Sequence, residues 1–245
     1  MRNLVIDIGN SRVKYGVFQD GELQLENRLE EWSADDIFEL ATNHQAENII
    51  YSTVGRELSV ALKAKLNSSF QVFELNQELP LPFVNAYKTP ATLGKDRLAA
   101  AAGALHWYPG HHCLIVDAGT CITLDLLQAD AVFLGGNIAP GVRMRLRAMH
   151  EQTARLPLVE PKATPQIWGT STETALQNGA VLGAALEIEA LAARLQKAWP
   201  NMRVVLTGGD AAFLANSLEC KIFVHSNLVL WGLNKILTYN VEKLA

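Results

Sequence analysis

The sequence is poor in cysteine and in clustered charge, and both shortages narrow the class of protein. Its 245 residues include 3 cysteines, an odd number without any paired metal-ligand spacing, so neither a disulfide framework nor a structural zinc site is predicted. The 21 basic and 25 acidic residues give a net charge of −4 and form no block of about five or six like charges. We therefore expect no nucleic-acid-binding surface and no polybasic membrane patch.

Long apolar runs and the commonest nucleotide-binding signatures are also missing. No run approaches the roughly 18 apolar residues that a membrane-spanning helix needs, and Asp7 interrupts the first apolar stretch too early for a signal peptide. Both observations favour a cytoplasmic protein. Neither GxxxxGKS/T nor GxGxxG after a strand occurs, and the histidines show no HExxH spacing. A nucleotide, if one is bound, must be held by another scaffold.

One short segment is present in two versions. The first runs over residues 4–11 (LVIDIGNS) and the second over residues 114–123 (LIVDAGTCIT). Each is an apolar strand ending in Asp, followed by a small residue, Gly and polar residues, a pattern that can gather backbone N–H groups and a carboxylate around a phosphate and its cation. Lys14, just after the first segment, could reach a phosphate or be an ordinary exposed lysine. The repetition indicates two related halves with a nucleotide held between them.

Hydrophobic periodicity predicts the same order of elements in each half, namely three strands, helix, strand, helix and strand. In the first half, strands are predicted at 3–8, 12–18, 22–29, 48–53 and 70–75, with helices from Ser33 and over 56–67. In the second half, strands are predicted at 113–117, 121–127, 131–138, 202–206 and 221–225, with helices near 141–153, 172–198 and 210–218. An Ala-rich helix over 92–106 closes the first half, and the Pro109-Gly110 break predicts domains 1–109 and 110–245.

Three further segments are suited to a site. The segment 89–97 (TPATLGKDR) places Asp96 and Arg97 in the first turns of the predicted helix, where both can face a cleft. Asp96 could equally do no more than complement the helix dipole. Two glycine-rich turns, 135–141 and 206–211, each follow a strand and precede a helix, as anion-binding turns do, although many α/β turns look alike.

Together these motifs resemble those of type III pantothenate kinase, of the acetate and sugar kinase/Hsp70/actin superfamily. The resemblance implies an α/β fold of two duplicated ribonuclease-H-like domains, the actin-like ATPase fold, with the active site in the cleft between them. The departures are small, with Ser11 where Thr is frequent and Cys121 where a small apolar residue is common. The matching motifs are Asp7-x-Gly-Asn-Ser11 with Lys14, Thr89-Pro-x-Thr-Leu-Gly-x-Asp-Arg97, Asp117-x-Gly-Thr120 with Thr123, Gly135-Gly-x-Ile-x-Pro-Gly141, and Thr207-Gly-Gly-Asp-Ala211.

The resemblance also implies an activity, the ATP-dependent phosphorylation of pantothenate to 4'-phosphopantothenate, the first step of coenzyme A biosynthesis. Asp96 corresponds to the catalytic base, Asp7 to the residue facing Mg²⁺, and Asp117 to the ligand of a required monovalent cation, K⁺ or NH₄⁺. A homodimer is implied, with the substrate site near the subunit interface. The other residues are implied to contact ATP (Gly9, Asn10, Ser11, Lys14, Gly119 and Thr120) or pantothenate (Tyr87, Gly94, Lys95, Asp96, Arg97 and Thr172).

The sequence leaves three alternatives open. The chain could phosphorylate another small hydroxy acid, or it could be a non-catalytic transcriptional regulator related to the family, although an intact base at Asp96 argues against a regulator. It could also be an α/β domain whose glycine-rich loops only form turns. The assignment of Thr172 is open as well, because neighbouring hydroxyl residues occupy the same segment: Thr170, Ser171 and Thr174.

Overall fold

The computed structural model describes residues 1–9, 13–30, 32–53, 57–164 and 166–244. The chain divides into two units. The first unit comprises Met1–Pro109, Ala131–Phe133 and the helix that begins at Leu228. The second unit comprises Gly110–Asp130 and Leu134–Asn227.

The first unit is built on a five-stranded mixed sheet of order β3-β2-β1-β4-β5. The strands are β1 (Arg2–Ile8), β2 (Val13–Gln19), β3 (Glu22–Leu29), β4 (Asn48–Thr53) and β5 (Gln71–Glu74). The β1–β2 and β2–β3 pairs are antiparallel, whereas β4 is parallel to both β1 and β5. The remaining elements are α1 (Ala34–Asn43), α2 (Val60–Asn67), a two-residue β6 (Val84–Asn85), a 3₁₀ turn (Pro90–Thr92) and α3 (Lys95–Trp107).

A second, six-stranded sheet has the order β6-β9-β8-β7-β10-β11, and its strands from β9 to β11 repeat the arrangement of the first sheet. Besides β6, its strands are β7 (Cys113–Ala118), β8 (Cys121–Leu127), β9 (Val132–Pro140), β10 (Arg203–Thr207) and β11 (Ile222–Val224). The β7–β8 pair is antiparallel and β10 is parallel to β7 and β11, so β1 and β7 hold the same central position. This confirms the duplicated α/β architecture. The helices are α4 (Val142–Glu151), α5 (Thr172–Gln196) and α6 (Ala211–Ala215).

Helix α7 (Leu228–Leu244) belongs to the first unit. The sequence analysis predicts no helix there and places residues 110–245 in one domain, so the structure differs at this point. The reason is a close contact with α3. A Cβ atom on Gly232 would lie 1.7 Å from the carbonyl oxygen of Ala99, and one on Gly103 would lie 2.3 Å from that of Leu228. The small residues of α3 thus admit the backbone of a helix far away in sequence.

Local signals explain several boundaries. Asp20 and Gly21 both have positive φ, 52° and 88°, as a two-residue hairpin loop between twisted strands requires. Ser59 accepts a hydrogen bond from the backbone N–H of Leu62 and so begins α2 later than the periodicity predicts. Gly94 is the N-cap of α3, which begins after the 3₁₀ turn rather than at residue 92. No helix within the described ranges is long and apolar enough to cross a membrane.

A chain of buried amides ties α7 to the first sheet. Asn48 donates from Nδ2 to Oδ1 of Asn3 at 3.1 Å, and Asn3 donates from Nδ2 to Oδ1 of Asn234 at 2.8 Å. None of the three is more than 5% exposed. Buried amides must find partners to avoid a desolvation penalty, so this chain fixes α7 against β1 and β4.

Candidate active site

The carboxyl end of β1 places a carboxylate between a cation and a hydroxyl. Asp7 is in register with Lys14 of β2 on one side and with Ser52 of β4 on the other. Lys14 is itself in register with Arg28 of β3. Paired positions share one face of a sheet. The four side chains therefore form what we call the first row: Arg28, Lys14, Asp7 and Ser52. A carboxylate beside two cations suits a phosphate chain together with its divalent cation.

The second unit has the corresponding row without the cations. Asp117 of β7 is in register with Thr123 of β8 and with Thr207 of β10, and these three residues form what we call the second row. Thr207 is only 1% exposed. Because β1 and β7 hold the same position in their sheets, Asp7 and Asp117 are topologically equivalent. The second row offers oxygen atoms and one negative charge, which suits a single hard cation rather than a polyphosphate.

Two glycines allow close backbone packing at the end of β7 and in the turn that follows it. Gly208 has φ +99°, and a Cβ atom on it would lie 2.4 Å from Oδ1 of Asp117 and 2.3 Å from the carbonyl oxygen of Ala118. A Cβ atom on Gly141 would lie 2.5 Å from the carbonyl oxygen of Thr120, to which the Gly141 N–H donates at 3.1 Å. The turns that follow β7, β9 and β10 therefore meet with no room for a side chain. The Asp117 carboxylate thus lies against a turn that has room only for glycine, and the carboxylate and hydroxyl oxygens of the second row are the kind of donors that a hard cation takes.

Residues predicted to contact ATP directly follow β1 and β7 in the sequence. Gly119 and Thr120 form the turn between β7 and β8, where the Gly119 N–H donates to the carbonyl oxygen of Cys121 at 2.9 Å and Thr120 is exposed. Gly9 directly follows β1 and is half-buried. The two remaining predicted contacts lie outside the described residues: Asn10 and Ser11.

The N-terminus of α3 carries the predicted base. Gly94 is the N-cap, and Lys95, Asp96 and Arg97 are the first three helical residues. Oδ1 of Asp96 accepts a hydrogen bond from the Arg97 N–H at 2.9 Å, and a Cβ atom on Gly94 would lie 2.4 Å from that oxygen. Gly94 therefore leaves the space that Oδ1 of Asp96 occupies in this position.

Arg97 is a buried guanidinium stacked on an aromatic ring. Its side chain is on a residue only 6% exposed, and Cζ lies 5.4 Å from the ring centroid of Tyr87. Tyr87 is half-buried and its N–H donates to Oδ1 of Asn85 at 3.1 Å. Stacking holds the planar guanidinium in one orientation, which favours recognition of a planar carboxylate.

Lys95 points instead toward a charged cluster on Glu74. Nζ of Lys95 lies 3.7 Å from Oε1 of Glu74, while Oε2 of Glu74 accepts hydrogen bonds from Tyr51 Oη at 2.7 Å and Lys63 Nζ at 2.8 Å. Burial raises the pKa of the Glu74 carboxyl, but the bonds from Lys63 and Tyr51 outweigh it and hold that pKa below its usual value. The cluster connects β4, α2 and β5 to the first residue of α3.

The hydroxyl segment before α5 is partly used for capping. Ser171 Oγ accepts from the Thr174 N–H at 3.2 Å, and Thr174 Oγ1 accepts from the Ser171 N–H at 3.0 Å, which is a capping box. Thr172, the first residue of α5, is exposed. Two of the neighbouring hydroxyls are thus engaged in the cap, whereas that of Thr172 lies at the surface.

No group of three or more His, Cys, Asp or Glu side chains within the described parts of the chain is arranged to hold a metal ion. Mg²⁺ in phosphoryl-transfer sites ordinarily keeps several waters and takes one or two carboxylates together with substrate phosphates. The single carboxylate of the first row therefore fits Mg²⁺ bound with a nucleotide.

A model of the family described as type III pantothenate kinase matches residues 3–194. This chain belongs to the type III pantothenate kinase family. A type III pantothenate kinase of Phocaeicola vulgatus is 43% identical over 239 residues, covering 97% of this chain and 98% of the relative. One of Christiangramia forsetii is 42% identical over 243 residues, with the same two coverages.

Solved structures of other proteins have a fold similar to that of this type III pantothenate kinase family member. A Baf family transcriptional activator from Campylobacter jejuni is 27% identical, with a TM-score of 0.60 over 98% of this chain and 99% of that one. The activator of 2-hydroxyisocaproyl-CoA dehydratase from Clostridium difficile, with bound ADPNP, is 13% identical with a TM-score of 0.56 over 99% and 95%. The ROK hexokinase of Thermus thermophilus is 16% identical with a TM-score of 0.54 over 98% and 100%. The fold is the actin-like ATPase fold, as the family resemblance implies.

Sequence reasoning missed three residues that this type III pantothenate kinase family member places beside the predicted ones. Ser52 and Arg28 complete the first row, and Glu74 pairs with Lys95. The two row residues lie within correctly predicted strands, but their relation to Asp7 depends on strand register. Glu74 depends on where α2 and α3 meet β5. No local pattern in the sequence signals either relation.

Proposed function

We propose that this chain transfers the γ-phosphoryl group of ATP to the primary hydroxyl of pantothenate, giving 4'-phosphopantothenate and ADP. The observation that carries the proposal is the stacked, buried Arg97 directly following Asp96 at the start of α3, in a member of this family. Pantothenate is a carboxylate with a primary hydroxyl. One guanidinium and one carboxylate are the groups needed to orient the acid and to accept the hydroxyl proton.

In the first unit, Lys14 and Arg28 would bind phosphate oxygens, and Asp7 would hold Mg²⁺ together with those phosphates. The charges of the first row support this assignment, because a cation pair beside one carboxylate complements a polyphosphate with its metal. Bound Mg²⁺ would supply charge neutralisation at the phosphates. Gly9, Asn10, Ser11, Gly119 and Thr120 complete the proposed ATP contacts.

In the second unit, Asp117 would bind K⁺ or NH₄⁺. The support is the row of oxygen-bearing side chains and the close approach of the Gly208 backbone to the Asp117 carboxylate. A monovalent cation prefers several neutral oxygens and little charge, and one carboxylate among hydroxyls meets that preference.

Asp96 would accept the proton of the pantothenate hydroxyl. The hydroxyl oxygen would at the same time form a bond to the γ-phosphorus, while the bond from that phosphorus to the bridging oxygen of ADP breaks. Because such transition states are loose, alignment of the hydroxyl by Asp96 contributes as much as deprotonation. Arg97, stacked on Tyr87, would hold the pantothenate carboxylate. Gly94, Lys95 and Thr172 are the remaining proposed pantothenate contacts, and the exposure of the Thr172 residue supports its choice over Ser171 and Thr174.

We also propose that the active form is a homodimer in the cytoplasm. Three large apolar residues of the second unit support a dimer, since Leu158, Ile167 and Trp168 are 56%, 73% and 64% exposed. Exposed apolar side chains near each other in sequence are commonly covered by a partner. Sedimentation of the purified chain tests this, and a monomer under turnover conditions contradicts it.

The test of the activity is ADP release by the purified full chain with MgATP, with and without pantothenate, in K⁺ and in Na⁺. We expect turnover only with pantothenate and K⁺, and a loss of at least about 100-fold in Asp96→Asn. Asp35→Asn is the matched control, because Asp35 also occupies the second position of a helix, α1, and its carboxylate pairs with the surface residue Lys65. Nucleotide binding without pantothenate-dependent turnover would reject the proposal in favour of another acceptor or a regulator.

A further inference from the structure

The hydroxyl of Ser52 is buried without a hydrogen bond in the described part of the chain. The residue is 0% exposed, and its Oγ has no hydrogen-bond partner in the described ranges of the chain. Buried hydroxyls are nearly always paired, and an exception calls for a functional reason. The other buried polar residues of β4 are Asn48 and Thr53, and Asn48 has its partner in Asn3.

The place of Ser52 in the sheet identifies the missing partner. Ser52 is paired in register with Asp7 on the parallel strand β1. Neighbouring strands lie about 4.8 Å apart and paired side chains share a face. A serine hydroxyl can reach a carboxylate across that distance. On the far side of Asp7 the paired residue is Lys14, so Ser52 and Lys14 flank this carboxylate.

Packing alone does not explain a serine at this position. An alanine would fill nearly the same space without a polar atom to desolvate, as the three preceding β4 residues, Ile49, Ile50 and Tyr51, are buried hydrophobic residues of the core. A hydroxyl also stands at the equivalent place of the second unit, where Thr207 is paired with Asp117. Both halves therefore set a buried hydroxyl beside the aspartate that ends the central strand.

We propose that Ser52 is a positioning residue for Asp7. When a nucleotide and its divalent cation bind, the Ser52 hydroxyl donates to one oxygen of the Asp7 carboxylate, which leaves the second oxygen directed at the cation. Ser52 touches neither substrate nor metal, and it acts through Asp7. The inference rests on the proposed function only in taking Asp7 as the carboxylate that faces Mg²⁺.

The test is the affinity of the full chain for ADP, measured by calorimetry with Mg²⁺ and again with EDTA, for Ser52→Ala, Asp7→Asn and the double variant. We expect Ser52→Ala to weaken binding of MgADP about tenfold, as loss of a hydrogen bond to a charged group does, and to leave binding in EDTA unchanged. The double variant should bind MgADP no more weakly than Asp7→Asn, because Ser52 has no effect without the carboxylate. The melting temperature of ligand-free Ser52→Ala should be unchanged or higher.

Two variants keep the test decisive. Thr53→Val removes the hydroxyl of the next residue on β4, which faces the other side of the sheet. Its gain in ADP affinity from EDTA to Mg²⁺, which we call the Mg²⁺ effect, should equal that of wild type. Ser52→Cys keeps the volume of the side chain with only a weak donor and should lose the Mg²⁺ effect as Ser52→Ala does, which guards against a cavity artefact.

Equal MgADP affinity in Ser52→Ala and wild type, additive losses in the double variant, or a lowered melting temperature with an intact Mg²⁺ effect would each overturn the inference. None of these measurements contains pantothenate. A wild-type protein that binds MgADP but does not phosphorylate pantothenate would therefore defeat the proposed function and leave the test of Ser52 unaffected.

Discussion

Gly208 approaches Asp117 so closely that a Cβ atom would lie 2.4 Å from its carboxylate oxygen, with φ at +99°. The backbone conformation and the close contact both exclude any other residue at this position. The shape of the second row therefore depends on a residue without a side chain.

Replacing Gly208 by alanine should lower the free energy of unfolding by at least about 2 kcal/mol, because the new methyl group meets backbone atoms of Ala118 in a strained conformation. Urea denaturation measures this loss. Gly209→Ala is the matched control, since a Cβ atom there would have no neighbour within 4 Å. Equal stability of the two variants would show that the turn can relax around a side chain.

Gly94→Ala should act on catalysis rather than on folding. The atom that a Cβ on Gly94 would meet first is Oδ1 of Asp96, the end of a movable side chain, so the carboxylate must shift. We expect kcat to fall at least about tenfold while the unfolding free energy changes by no more than about 1 kcal/mol, the usual scale of an N-cap change. Steady-state kinetics with chemical denaturation checks both parts. A normal kcat would remove Asp96 from the reaction.

Arg97→Lys should raise KM for pantothenate about tenfold or more and leave KM for ATP nearly unchanged, because lysine lacks the planar fork that stacks on Tyr87 and pairs with a carboxylate. Tyr87→Phe keeps the ring and serves as the control, with an expected KM near that of wild type. Parallel increases in both KM values would place Arg97 outside the acceptor site.

Asn234→Ala should destabilise the protein by about 1–3 kcal/mol, since Asn3 would lose the acceptor for its buried Nδ2 group. The melting temperature and the urea midpoint report this directly. Asn216→Ala removes an exposed amide that donates to the carbonyl of Ala212 in its own short helix, and it should change stability much less. A neutral Asn234→Ala would mean that the amide chain does not fix α7.

The Glu74 cluster predicts acid sensitivity. Hydrogen bonds from Lys63 and Tyr51 keep the pKa of Glu74 below its ordinary value near 4.5, despite burial. At a pH between the folded-state pKa and the ordinary pKa, Glu74 is mostly protonated in the unfolded chain but mostly ionised in the folded chain. The stability supplied by Glu74 is therefore present above that pH and is lost as the pH falls through the folded-state pKa. Glu74→Gln should flatten the fall in unfolding free energy between about pH 6 and pH 3, whereas Glu78→Gln, at an exposed position, should not.

The sequence is informative where the signal is local. The alternation and turn residues around Asp20 and Gly21 predict the β1–β3 meander, and the repeated Asp-containing strand ends predict the duplication. Relations across the chain are harder. Helix α7 was missed because its reason for being helical is a contact with Ala99 and Gly103, more than 120 residues away in the printed sequence. Ser52 was missed because a serine in a strand becomes notable only once its register with Asp7 is known.

The packing of α7 on α3 determines when, during synthesis, the first unit can finish folding. The ribosome delivers both sheets before it delivers Leu228, and until then Ala99 and Gly103 of α3 lack their contact with α7. The helix that begins with Lys95, Asp96 and Arg97 is thus held in place by a segment made about 130 residues later. Ribosome-bound chains halted before residue 228 should leave the first unit protease-sensitive, even though the first sheet has long since left the exit tunnel.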